Sequence, residues 1–135
     1  MIIVLVLFSL FGCKKSTDYV PNVAVNIYLY STEPAFTQLN VTGGYTYLSG
    51  GSKCIVVFCK SQSPTYEFMA YDRHCTYKVA DGNTVSVDAS GLIATDAACG
   101  SQFLLTDGSV NKGPASNLLK RYQVTFDGAV LHIFN

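Results

Sequence analysis

The chain is expected to fold as an all-β domain, either a small antiparallel barrel or two stacked sheets. About ten short apolar or alternating runs are separated by turn signals at short intervals, the pattern of sandwiches and barrels. Beyond the first dozen residues, no stretch of ~10 or more carries apolar residues at helical spacing. Nine tyrosines and eight phenylalanines, with no tryptophan, supply the aromatic residues that suit pleated surfaces. A length of 135 residues fits one domain around a single core. Apolar content of 49% against 13% charged residues excludes a disordered chain. A formal net charge of zero leaves no basic field to attract nucleic acid, so no nucleic-acid partner is expected.

The chain opens on Met1 to Phe11, apolar except for Ser9. At ~1.5 Å per helical residue this run is too short to cross a ~30 Å hydrocarbon core, and it reads as the apolar region of a secretory signal. Leu10-Phe11-Gly12-Cys13 resembles a bacterial lipobox, with Gly12 as the small residue that signal peptidase needs. That resemblance implies a signal peptide over residues 1–12 and an acylated Cys13. A basic leader is missing, as it would be if translation began upstream of Met1. Residues 13–22, polar and closed by Pro21, form a tether, and residues 23–135 form the domain. The lipid membrane is thus one partner, held through Cys13 without a spanning segment. The expected location is the bacterial cell envelope, an oxidising or mixed compartment where disulfides can persist. Lys14 after the cysteine is not an inner-membrane retention signal of the enterobacterial kind, which points to the outer membrane.

In order along the domain, Val23 to Tyr30 places Val23, Val25, Ile27 and Leu29 on one face at period two and is a strand. Ser31 to Ala35 with Pro34 is a turn, and Phe36 to Val41 is either a strand or irregular. Gly43-Gly44 turns the chain into a short strand, Tyr45 to Leu48, and Ser49 to Ser52 is a loop. The continuous apolar run Lys53 to Lys60 reads as a central strand buried on both faces, returning through the Pro64 loop as Tyr66 to Tyr71. Asp72 to Tyr77 is a polar loop. Thr84 to Val87 and Leu92 to Thr95 are strands, separated by the Ser90-Gly91 turn. Another strand follows Gly100-Ser101, and Gly108 to Leu118 is a long loop. Arg121 to Phe126 and Ala129 to Phe134 form a terminal hairpin about Asp127-Gly128, a type I′ signal.

From about Gly44 to Asn135 the order of these pieces resembles a Rieske iron–sulfur domain. Ala70-Tyr71-Asp72-Arg73-His74-Cys75 matches the entry to the family's first ligand loop, Cys-x-His. Gly100-Ser101-Gln102-Phe103 and Asp107-Gly108-Ser109 match the segment after the second loop, Cys-x-x-His. Gly113-Pro114-Ala115, Leu119 and Tyr122 match the loop that covers the cluster and the strand beyond it. The resemblance implies a Rieske-like all-β fold with two former cluster-binding loops.

In the family one iron is held by two cysteines and the other by two histidines. On those four positions this chain places Cys75, Tyr77, Asp96 and Cys99, and Thr76 and Ala97 replace the prolines expected beside them. One residue of four is kept. Asp96 is a hard oxygen donor in a soft site, a tyrosinate would be unusual there, and the two thiols would belong to different irons. The expected cofactor is therefore none, and the expected role is a structural or interaction module for an unknown envelope protein. The alternative is an electron carrier holding an unusual [2Fe-2S] cluster or a single metal through Cys75, Asp96 and Cys99. His74 added to these three gives a zinc-type set. Cys75 and Cys99 would sit on loop tips that meet, so a disulfide could replace the metal. It would close a loop of about 25 residues and add roughly 3 kcal/mol in the chain-entropy view.

The remaining candidates read as structural. Cys54 and Cys59 lie too far apart in one strand to bridge and are expected to be small buried hydrophobes. Arg73 and Asp72 would fix their loop, Ser101 would be a turn residue, and His132 a strand residue. Tyr45, Tyr47, Tyr66 and Tyr71 could form an exposed aromatic face. No Ser-His-Asp set, phosphate loop or catalytic carboxylate pair stands out, and an enzyme has no positive support.

Overall fold

The computed structural model describes residues 19–135; the expected signal segment and Cys13 lie outside them. The described residues form ten strands: β1 (Asn26–Tyr30), β2 (Tyr45–Leu48), β3 (Ile55–Ser61), β4 (Glu67–Asp72), β5 (Ser86–Val87), β6 (Ile93–Thr95), β7 (Gln102–Leu104), β8 (Val110–Lys112), β9 (Arg121–Phe126) and β10 (Val130–Phe134). They build two antiparallel sheets. The larger has the order β1-β10-β9-β4-β3-β2, and the smaller is the meander β5-β6-β7-β8.

The hairpin β3–β4 holds the molecule together because both of its faces are covered. Ile55, Val57, Cys59, Phe68 and Ala70 point into one core with Leu29, Leu39, Leu131 and Ile133. The alternate residues Val56, Phe58, Met69 and Tyr71 point into a second core with Val85, Ala94, Phe103 and Leu105 of the smaller sheet. Period-two alternation thus splits one apolar run between two cores. The second core docks the small sheet, and its ligand-loop end, on the larger one.

Four local expectations need correction. Phe36 to Asn40 is neither strand nor irregular but part of a 3-10 segment, Pro34–Asn40, with Pro34 opening it, Phe36 and Leu39 buried, and Val41 extended just beyond its end. Val110–Lys112, read as loop, is the edge strand β8, paired to β7 across an irregular register. The terminal hairpin is not a two-residue type I′ turn. Phe126 pairs with Leu131, three residues (127–129) lie between the strands, and Asp127 Oδ1 accepts the N–H groups of Ala129 (2.8 Å) and Val130 (2.7 Å). That side-chain acceptor organises a wider turn than the Asp-Gly pair alone suggests. Cys54 is exposed rather than buried, with a left-handed φ of 69°, and precedes β3 instead of belonging to it. Cys59 is fully buried, as expected.

The four tyrosines share no face. Tyr71 is buried, Tyr66 packs on Phe68 and Phe126, and Tyr45 and Tyr47 pack edge to face elsewhere. Residues 21–23 lie along the domain, with Lys120 Nζ donating to Pro21 O and Asn22 Oδ1, and Asn135 Nδ2 to Val23 O.

Candidate ligand-loop site

Two loops bring three donors together. Cys75 follows β4 in a loop pinned by the isolated bridge His74–Thr84 and by the Cys75 N–H, which donates to Asn83 O at 2.9 Å. Asp96 and Cys99 stand on the turn of the β6–β7 hairpin. Asp96 N–H donates to Ser101 O at 2.9 Å, Gly100 N–H to Asp96 O at 2.8 Å, and Gly100 takes a φ of 80° that favours glycine. The thiols of Cys75 and Cys99 and a carboxylate oxygen of Asp96 all lie within 4.8 Å of one another. Cys75 and Asp96 are each only 1% exposed, while Cys99 is half-buried and opens the group to solvent.

The turn supplies its own hydrogen bonds. Cys99 Sγ lies 3.2 Å from Asp96 Oδ2 and 3.1 Å from Ser101 Oγ. Ser101 Oγ accepts the Ala115 N–H at 2.9 Å, which ties the Gly-Pro-Ala loop to the site. Asp96 Oδ1 accepts the Ala98 N–H at 2.8 Å. Burial alone would raise the Asp96 carboxyl, but the Cys75 and Cys99 thiols and the Ala98 and Cys99 N–H groups hold it below its ordinary value. Burial pushes the Cys75 thiol up to about 12; the Tyr77 N–H pulls it down, and the neighbouring Asp96 adds to the rise. Cys75 and Cys99 are free thiols in this structure.

Two of the sequence-predicted site residues stand apart. His74 is not a member of the group, which corrects the zinc-type set that included it. Its Nε2 lies 2.8 Å from Val79 O, an acceptor, and so carries the proton; its Nδ1 accepts the Ser52 hydroxyl at 2.8 Å. Both ring nitrogens are therefore engaged. Tyr77 packs its ring against the second core, with Lys78 Nζ 5.5 Å from the ring centroid.

A second polar centre beneath the loops was only partly legible. Asp72, fully buried, accepts the N–H groups of Ser52 (2.6 Å), Lys53 (3.1 Å) and His74 (2.9 Å), and the Tyr122 hydroxyl at 2.7 Å. Gly51 is required beside it, since a Cβ there would lie 2.5 Å from both Asp72 Oδ2 and the Tyr122 hydroxyl. Arg73 is structural as read: Nε donates to Val85 O at 2.8 Å, and the guanidinium lies 4.1 Å from the Tyr47 ring centroid. The roles of Ser52 and Tyr122 were missed. The Gly50-Gly51-Ser52 loop opposite a buried aspartate was the available signal.

These two sheets, with ligand loops at the tip of the smaller one and a Gly-Pro-Ala loop sealed against them, define a Rieske-like fold. Among solved structures, the fold is similar to that of the cyanobacterial plasma membrane Rieske protein PetC3 from Synechocystis PCC 6803, at a TM-score of 0.56 and 21% sequence identity. The match covers 67% of this chain and 86% of that one. No protein-family model matches the sequence, and no curated protein does.

Proposed function

We propose that this chain is an envelope-anchored Rieske-fold domain that has given up the [2Fe-2S] cluster and serves as a structural or interaction module. The observation that carries the reading is the donor set at the loops: Cys75, Asp96 and Cys99 converge within 4.8 Å, two thiols and a carboxylate with no imidazole among them. In the family's arrangement Cys75 and Cys99 belong to different irons, so their donors stand on opposite sides of a metal pair. That arrangement would give one iron a thiol and a hard carboxylate, and the other a thiol and a tyrosine oxygen. The chemistry of the set points the same way. Two cluster positions carry a tyrosine and an aspartate, and the nearby His74 has both nitrogens committed to Ser52 and Val79.

The anchor gives the module an orientation. Tyr19 and Val20 line an apolar groove of about 360 Å³ with Thr76, Asn117, Leu118 and Lys120. The chain therefore leaves the domain beside the first ligand loop. Five residues lie between Cys13 and Tyr19, a covalent reach of at most about 20 Å. A lipid on Cys13 would hold the loop tip close to the membrane surface, where a partner in or on that membrane is within range. Iron and acid-labile sulfide assayed on the protein as isolated test the reading. Neither should be present in stoichiometric amount, and two of each per chain would overturn it.

A further inference from the structure

We propose that Cys75 Sγ, an Asp96 carboxylate oxygen and Cys99 Sγ together bind a single divalent cation of the zinc class. The inference rests on the cluster-free reading and names the ligand of that same site.

Geometry comes first. Bonds of about 2.3 Å to sulfur and 2.0–2.2 Å to oxygen around a tetrahedral ion put neighbouring donors roughly 3.6–3.8 Å apart. The three donor atoms here all stand within 4.8 Å of each other, with Cys99 Sγ and Asp96 Oδ2 at 3.2 Å. Small side-chain rotations bring such a set onto one ion.

Hydrogen-bond donors at the second loop support a thiolate on Cys99. The Ser101 N–H lies 3.5 Å from Cys99 Sγ, an amide donor two residues further on. Ser101 Oγ already accepts the Ala115 N–H, which leaves its own proton free to donate to Cys99 Sγ. Supports of this kind orient ligands and hold charge on them.

Donor type selects the cation. Two thiolates with one carboxylate suit a borderline ion of the zinc class, whereas calcium and magnesium favour oxygen donors throughout. On binding, each thiol loses a proton to solvent while Asp96 is already ionised, so one cation enters and two protons leave. Three protein ligands leave a fourth position, and Cys99, half-buried, gives the ion its way in. A water or a small external ligand completes the site.

The test uses the mature protein in detergent, reduced and stripped with a chelator, in a Cys54→Ser background that removes the exposed thiol. Cobalt(II) is the probe. The expected result is saturation at one cobalt per chain, with a sulfur-to-metal charge-transfer band and the d–d absorption of a tetrahedral centre, both abolished by one equivalent of zinc. Cys99→Ser should weaken binding by more than about 100-fold, and Ser101→Ala by about 10–100-fold. Because Cys75 is a core residue, Cys99→Ser is the deciding variant, its fold checked by circular dichroism. Cluster-free protein that takes up no cobalt saturably, or a folded Cys99→Ser that binds it unchanged, would overturn the inference. Stoichiometric iron and sulfide in the isolated protein would instead overturn the reading beneath it.

Discussion

Cys99 Sγ lies 3.2 Å from Asp96 Oδ2, so a thiol and a carboxylate at two ligand positions of a Rieske-like fold touch each other. The carboxylate is held by hydrogen bonds that favour its ionised form. Its folded value lies below the ordinary 3.8, so the contribution is complete above about pH 4 and is lost as pH falls through the lowered value. Asp96→Asn should therefore flatten the acid limb of the stability profile. Chemical denaturation of the two proteins between pH 2 and 6 would show it, and identical acid limbs would contradict it.

Cys75 titrates in the opposite sense. Its value rises from 9.0 to about 12, chiefly because it is buried. The unfolded chain thus loses this proton first, and stability present below pH 9 declines as pH climbs toward 12. In the metal-free protein at neutral pH, a thiol alkylating reagent should modify exposed Cys54 first and half-buried Cys99 next, leaving Cys75 and Cys59 until unfolding. Peptide mapping after timed quenching gives the order. Early labelling of Cys75 would contradict its place in the core.

Asp72 and Tyr122 link the two halves of the loop region to the larger sheet. Tyr122→Phe removes one of four donors to a buried carboxylate and should cost about 1.5–3 kcal/mol. Asp72→Ala leaves the Ser52, Lys53 and His74 N–H groups without their acceptor and should cost at least about 3 kcal/mol. Urea denaturation measures both. A Tyr122→Phe effect as large as that of Asp72→Ala would show that the hydroxyl, not the N–H cluster, dominates.

Membrane attachment is expected to depend on Cys13 alone. Cys13→Ala should move the protein from the membrane fraction to the soluble periplasmic fraction, and loss of the acyl mass on the wild type after lipase treatment gives an independent check. A variant still fractionating with membranes would contradict the lipid anchor.

Much of the fold was legible because its signals are local. The double-faced run Ile55 to Cys59 announces a central strand, and the turn residues around Gly43, Gly91, Gly100 and Gly128 mark where strands end. What was not legible depends on pairing at a distance. Val110–Lys112 is polar in two of its three residues and is a strand only because β7 offers it an edge. Cys54 looks apolar in sequence but is turned outward by its left-handed backbone. At the site, Cys75, Asp96 and Cys99 were found by matching positions. No sequence pattern showed that His74 would be committed to Ser52 and Val79, because Ser52 comes from a loop 22 residues earlier. The Asp72 centre is distributed over β4, β9 and the Gly51 loop, and such a network has no contiguous signature.

The most direct test of the central claim is anaerobic reconstitution of the reduced apoprotein with iron and sulfide, followed by desalting and visible and electron paramagnetic resonance spectroscopy after reduction. No stoichiometric chromophore and no reduced two-iron signal are expected, because Tyr77 and Asp96 stand at two of the four cluster positions and His74 has both ring nitrogens engaged elsewhere. A desalted protein that keeps two irons and two sulfides per chain, with that signal lost in Cys99→Ser, would contradict it.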